Sequence, residues 1–203
     1  MYVNHVCWML LNLEWHLLIN NMKTKIIPFI SLDKCIESSK DYDFMYLILD
    51  AAQFSDQSLD FINSCRCDNR VEVYSLFAGT TEGNAPFEVS PLLIVVHDLN
   101  ILKNSNFLFL HQVWHKDEAL NIVFSKLKLS LFVKKMKKYL TVKFPDNTQK
   151  LFRWFDPRIL KKINKILDED QEAEFFNGIE KWVVSVRNYQ DVNSNMIMIM
   201  ENT

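Results

Sequence analysis

"FMYLILDAA", Phe44 to Ala52, is the stretch on which the fold turns. Six residues in succession are apolar or aromatic before Asp50 interrupts them. An apolar run of that length, closed by a turn, reads as a buried strand. The segments on either side complete the pattern. "SDQSLDFINSC" follows with Leu59, Phe61 and Ile62 at helical spacing and Ser55 or Asp56 as the cap. "VEVYSLF" (Val71–Phe77) alternates with period two and predicts a second strand. "AGTTEGNAPFE" is a loop by its Gly and Pro content, and "PLLIVVH" (Pro91–His97) is a third strand with Pro91 at its opening. Residues 98–116 are irregular in pattern, and "ALNIVF" (Ala119–Phe124) predicts a fourth strand.

Beyond Phe124 the period lengthens. Leu129, Phe132, Val133, Met136 and Leu140 fall on one side of a helix, with Lys134, Lys135, Lys137 and Lys138 on the other. "TVKF", the turn "PDN" and "KLFRWF" then form a hairpin. Asp156 stands where an N-cap belongs and Pro157 at the first helical position. Ile159, Leu160, Ile163, Ile166 and Leu167 make the stripe of the helix that follows. Asp168 and Gln171 have capping-box spacing, and Gly178 suits a C′ position. "KWVVSV" predicts a last strand, and "NSNMIMIMENT" a loose tail, although Met196–Met200 could add to a sheet or lie in a groove.

This order predicts an α/β or α+β fold: an N-terminal mixed sheet lobe with flanking helices, and a smaller, more helical C-terminal lobe carrying the hairpin. The expected division is a helical extension over 1–40, the sheet lobe over 41–118, the second lobe over 119–187 and a flexible tail over 188–203. The N-terminal "MYVNHVCWMLLNLEWHLLINN" has no basic residue before Lys23 and carries Glu14 and His16. It therefore reads as an amphipathic helix, not as a signal peptide or a membrane span, with Met22 as an alternative start.

Composition narrows the function. The chain has 203 residues, 49% of them hydrophobic, and a formal net charge of -2. A core is affordable, and the whole does not read as a nucleic-acid or membrane binder. Three glycines, with no G-x-G-x-x-G and no Walker loop, leave no phosphate-cradling loop. Cys7, Cys35, Cys65 and Cys67 lack zinc or disulfide spacing and read as reduced thiols of a cytosolic protein. His111 and His115 lie four apart, as helical metal ligands would, but no third ligand is evident, so no metal and no cofactor are expected.

Asp50, at a strand end, is a candidate carboxylate without an identifiable partner. No nucleophile, base and oxyanion donor assemble, so no catalysis is expected; a hydrolase centred on Asp50 is the weaker alternative. Between Ala119 and Pro145 there are seven lysines and no Asp or Glu. The Lys134–Lys138 face is a candidate anion or nucleic-acid contact, unless the acidic "DEDQEAE" (Asp168–Glu174) neutralises it within the fold. Arg153, Asp156 and Arg158 can form planar, bidentate pairs that brace one lobe on the other. Alternatively an arginine meets a partner, with Trp154 or Phe155 as an apolar anchor. On a strand Arg153 and Phe155 would share one face and Trp154 take the other.

The series "YLILDAAQ", "VEVYSLFAGTTE", "SPLLIVV", a basic helix, "LTVKFPDNTQKLFRWFDPRIL" and "FFNGIEKW" resembles the bacterial type VI secretion effector adaptors, the Tap or Tec chaperones. The resemblance runs from about Phe44 to Val184, and "V-x-x-P-D" with "L-F-R-W-F-D-P-R" is its most specific element. It implies a non-catalytic cytosolic protein that binds a cognate toxic effector and helps load it onto the VgrG spike, without nucleic-acid binding or membrane insertion. Asp50, Arg153, Asp156 and Arg158 match the family pattern, which does not say whether they bind or brace. "FVKKMKKYL" departs from the His-Leu-Arg element usual at that place.

Overall fold

The run Phe44–Asp50 forms strand β2, and its unbroken apolarity has a geometric cause. Successive side chains of a strand point to opposite faces. Leu47 and Leu49 enter one core, whereas Tyr46 and Ile48 enter another. A strand with two cores has no solvent face, so no polar alternation appears. The computed structural model describes residues 22–37, 41–116, 118–144, 146–187 and 195–202.

β2 lies within a seven-stranded sheet. Across the sheet the order is β1 (Met22–Pro28), β9 (Asn195–Asn202), β8 (Ile179–Arg187), β5 (Leu120–Ser125), β2, β4 (Pro91–Val96) and β3 (Val71–Ser75). Every neighbouring pair is antiparallel. A separate hairpin joins β6 (Thr141–Lys143) to β7 (Gln149–Leu151), with Asn147 at φ 64 in its turn.

Helices cover both faces, giving three layers. On the face of Leu47 and Leu49 lie α1 (Leu32–Glu37), α2 (Ser55–Arg66) and α3 (Leu108–Lys116), through Leu32, Ile62, Leu110 and Trp114. On the face of Tyr46 and Ile48 lie α4 (Leu129–Lys138), α5 (Pro157–Leu160), α6 (Ile163–Ile166) and α7 (Glu169–Phe176). They contribute Phe132, Met136, Leu160, Ile163, Phe175 and Phe176. The mixed α and β architecture expected from the sequence is what forms.

The boundary expected before Ala119 falls beside β5, which sits between β2 and β8 inside the sheet. Residues 41–118 and 119–187 therefore share one sheet, and they differ in the face that their helices cover. At the chain ends, residues 1–21 of the expected helical extension lie outside the described residues. Met22–Pro28 is a strand, not part of a helix, and it pairs with β9 from Met22↔Asn202 to Pro28↔Met196. The expected tail is corrected likewise. Residues 188–194 lie outside the described residues, but Asn195–Asn202 is β9, with Ile197, Met198, Ile199 and Met200 buried. Its apolar residues are shared by the two cores, Ile197 and Ile199 in one, Met198 and Met200 in the other.

Three further corrections concern helices. Residues 98–116, read as irregular, include the nine-residue α3. The single helix expected from Ile159 to Leu167 is two four-residue pieces, α5 and α6, which bury Leu160 and Ile163 but leave Ile166 47% exposed. The expected Ser55 or Asp56 cap of α2 is corrected, since Phe54 takes the N-cap position with no side-chain cap and both residues lie inside the helix. Two later capping predictions hold. Asp168 and Gln171 make a reciprocal capping box at the start of α7. Gly178 follows the Asn177 cap at φ +78, and a Cβ there would meet Leu127 at 2.8 Å.

Candidate functional site: a charged corner and a basic cleft

Strand β2 delivers Asp50 to the end of the sheet. Its backbone N–H donates to Ala119 O at 2.9 Å, and its side chain is 1% exposed. A carboxylate so placed needs donors. Arg153 Nη2 donates to Oδ2 at 2.6 Å across 103 residues of sequence, and Gln53 Nε2 donates to the same oxygen at 3.0 Å. The Asp50 partner that could not be read from the sequence is therefore Arg153. The Arg153 guanidinium lies 5.5 Å from the centre of the Phe155 ring, and its side chain remains 41% exposed. Its Nε is buried and finds no acceptor among the described residues.

Residues 152–156 carry the chain from the hairpin into α5. β7 ends at Leu151, so the expected strand through Phe155 does not extend that far. Phe152 N donates to Leu140 O, and Asp156 N closes a turn on Arg153 O at 3.0 Å. The turn breaks the two-sided alternation, and both aromatics enter one core, Trp154 at 0% and Phe155 at 2% exposure. Trp154 packs edge-on against Phe155, Phe175 and Trp182 at 5.7–6.2 Å. Neither ring is presented to a partner, which corrects the expectation of an aromatic surface anchor.

Asp156 caps α5 as predicted. Its Oδ1 accepts from Arg158 N and Nε, both at 2.9 Å, and its Oδ2 accepts from Nη2 at 2.7 Å. This is the bidentate geometry that arginine favours. Burial pushes the Asp156 carboxyl up, but the Arg158 hydrogen bonds and the Arg158 and Arg153 charges outweigh it, leaving the carboxyl below its ordinary value. The hydrogen bond to Asp156 also raises Arg158. The Arg158 side chain is 53% exposed over a carboxylate that is 6% exposed.

A third pair completes the corner. Glu118, nearly buried just before β5, accepts from Lys161 Nζ and from Arg187 N at 3.1 Å. The charges of Glu118 and Asp50 both act on Arg158, so the pairs form one cluster. The arrangement is stratified: three carboxylates lie inside and three cationic side chains lie over them. Sequence reasoning missed Glu118, Lys161 and Gln53, since an acid between a helix and a strand looks like any turn residue. It also missed Asn121, whose Oδ1 accepts from Trp182 Nε1 and whose Nδ2 donates to Phe155 O at 2.8 Å. A lone amide inside "ALNIVF" was the available signal.

The lysine helix differs. Lys134 is exposed and has no acid or carbonyl partner among the described residues. Lys135 Nζ donates to Glu174 O, Lys137 Nζ to Ala78 O and Lys138 Nζ to Glu174 Oε1, each at 2.5 Å. The acidic segment thus neutralises part of this face through Glu174. Burial pulls the Lys135 ammonium down to about 8, against the raising pull of Glu174 and with Lys138 adding to the fall. A cleft of about 350 Å³ opens here, lined by Leu131, Lys134, Lys135, Lys138, Tyr139 and Glu174.

His111 and His115 both lie on α3. His111 Nε2 is 3.0 Å from Leu102 O, and the His115 ring stands edge-on to Phe29. Among the described residues no three His, Cys, Asp or Glu side chains cluster to hold a metal. Cys35 and Cys65 are buried, and burial pushes both thiols up to about 12. No helix of the described residues is long and apolar enough to cross a membrane.

Comparison with known proteins adds one finding. Residues 45–174 match the family described as Domain of unknown function (DUF4123), and the chain belongs to that family. No curated protein and no solved structure matches this chain.

Proposed function

We propose that this chain is a non-catalytic adaptor-chaperone that holds a cognate type VI secretion effector in the cytosol and helps load it onto the VgrG spike. Family membership over residues 45–174 and the ordered motifs support the reading. The observation that carries it structurally is the stratified corner. Arg153 and Arg158 are held from beneath by buried carboxylates while 41% and 53% of their side chains face solvent. Arginines fixed in this way lose little freedom when they meet a partner's carboxylates or carbonyls. The corner thus serves two ends, bracing hairpin to sheet with its inner atoms and gripping effector with its outer ones.

The test is co-expression with the product of the adjacent effector gene. The effector should be retained by this chain, and deleting the gene should abolish delivery while leaving the effector's synthesis intact. Undiminished delivery in the deletion strain overturns the reading. Arg158→Lys, which keeps a cation over the buried Asp156, locates the grip: about tenfold weaker retention with the fold intact assigns Arg158 to the interface. Unchanged retention removes Arg158 from it.

A further inference from the structure

The corner leaves the basic cleft unexplained. Its walls come from α4 and α7, and its composition is unusual for a solvated helix face. Leu131 is 56% exposed at its edge, beside Tyr139. Lys134, Lys135 and Lys138 line it, with Glu174 as the one acid among the lining residues. On the α4 side the sequence from Ala119 to Pro145 has no carboxylate, and on the α7 side the acids are Glu169, Asp170, Glu172 and Glu174, of which Glu174 alone lines the cleft.

We propose that this cleft docks an acidic stretch of a partner polypeptide that carries an apolar side chain. The apolar side chain seats against Leu131, and a flanking carboxylate takes the place that Glu174 now occupies opposite Lys138. Glu174 is then an internal stand-in for the ligand. Its Oε1 accepts from Lys138 at 2.5 Å, and its backbone carbonyl accepts from Lys135. Both partners of the Lys138 pair are about half exposed, 56% and 52%, so exchanging one carboxylate for another costs little. Lys134, which has no acid or carbonyl partner among the described residues, supplies the second contact. A volume of about 350 Å³ suits one or two side chains.

Charge geometry favours a peptide over a nucleic acid. A phosphate backbone asks for a row of available cations. Here Lys135 and Lys137 are turned onto the carbonyls of Glu174 and Ala78, which leaves two ammonium groups and not a track. Tyr139 is 5% exposed and offers no stacking platform to a base. An exposed leucine beside two cations matches an acidic segment with one apolar anchor.

This inference does not rest on the effector reading, and it concerns different residues, so either can fail alone. The probes are a short labelled peptide of Glu and Asp with a central Leu, its Leu-free counterpart, and a single-stranded oligonucleotide, titrated by fluorescence anisotropy at low ionic strength. The Leu-containing peptide should bind about tenfold tighter than the Leu-free one. Leu131→Asp and Lys134→Glu should each weaken it about tenfold, and neither touches the core. Glu174→Gln should tighten it about threefold by removing the competing carboxylate. Equal binding of the two peptides, tighter binding of the oligonucleotide, or no binding of the Leu-containing peptide overturns the proposal.

Discussion

The corner and the lysine helix grow from the same aromatic core, yet their charges are installed on opposite plans. Trp154 and Tyr139 both pack against Phe175, from the corner side and from the helix side respectively. In the corner each cation is matched to a carboxylate that the fold has buried, and two of the three pairs, Asp50 with Arg153 and Glu118 with Lys161, join segments far apart in sequence. On α4 Lys134 has no acid or carbonyl partner among the described residues, and the other cations are matched to backbone carbonyls and to one half-exposed acid. Buried carboxylates make an arginine part of the architecture, because removing the arginine strands a desolvated carboxylate. Surface partners leave a lysine exchangeable, because water replaces them at little cost. Density of charge in a sequence therefore says less about function than the depth of the partner does.

The widest separation between the two regions should appear in apolar truncation. Trp154→Ala removes the ring that fixes the corner's turn to Phe175 and Trp182, and should cost about 3–5 kcal/mol in chemical denaturation. That is a large part of the roughly 5–15 kcal/mol available to a domain. Leu131→Ala on the cleft should change stability by less than about 0.5 kcal/mol. A Trp154 variant no less stable than the Leu131 variant would break the comparison at its base.

Charge removal should separate them less. Asp156→Ala deletes the α5 cap and leaves Arg158 unmatched, for about 2–3 kcal/mol. Lys138→Ala should cost at most about 0.5 kcal/mol. The Asp156 contribution also carries a pH signature. Its carboxyl is depressed in the fold, so the stability it lends is present above the unfolded value near 3.8 and is lost as pH falls through the lower folded value. Acid denaturation of the wild type should steepen below pH 3.8, and Asp156→Ala should lack that component.

The same contrast explains how far the sequence could be read. Local grammar was legible: the run at Phe44–Leu49, the Asp156–Pro157 start, the Asp168–Gln171 box and Gly178 each announce themselves within a few residues. The corner's key members, Asp50, Arg153, Asp156 and Arg158, were legible as residue types. Their pairing was legible for Asp156 with Arg158, two positions apart, and illegible for Asp50 with Arg153, because nothing local encodes a contact across 103 residues. Distance also hid the sheet edge, where β1 and β9 join the two ends of the chain. Trp154 and Phe155 were misplaced for another reason. An apolar run does not mark where a strand stops, and here β7 stops with its three-residue partner β6.

The smallest expected effect lies at Lys135, the one lysine of α4 whose environment departs from a surface plan. Its ammonium titrates near 8 in the fold because burial penalises the charge, with Glu174 opposing and Lys138 assisting, against about 10.5 in the unfolded chain. Below pH 8 the fold carries that penalty in full; above 10.5 both states are neutral and it vanishes, so Lys135 should make stability rise with pH between those values. Other groups pull the opposite way. Cys35 and Cys65 are raised from 9.0 to about 12 by burial, so the stability they lend is lost as pH climbs above 9. Tyr46, likewise raised to about 12 by burial, and Tyr139, raised by burial and by Glu174, add to the loss above 10. The window from pH 8 to 9 isolates the lysine. There the wild type should gain stability by a small margin while Lys135→Gln stays level, as read from denaturation midpoints at matched ionic strength. If the two proteins follow parallel courses through that window, Lys135 is as freely solvated as Lys134, and α4 carries no charge that the core has claimed.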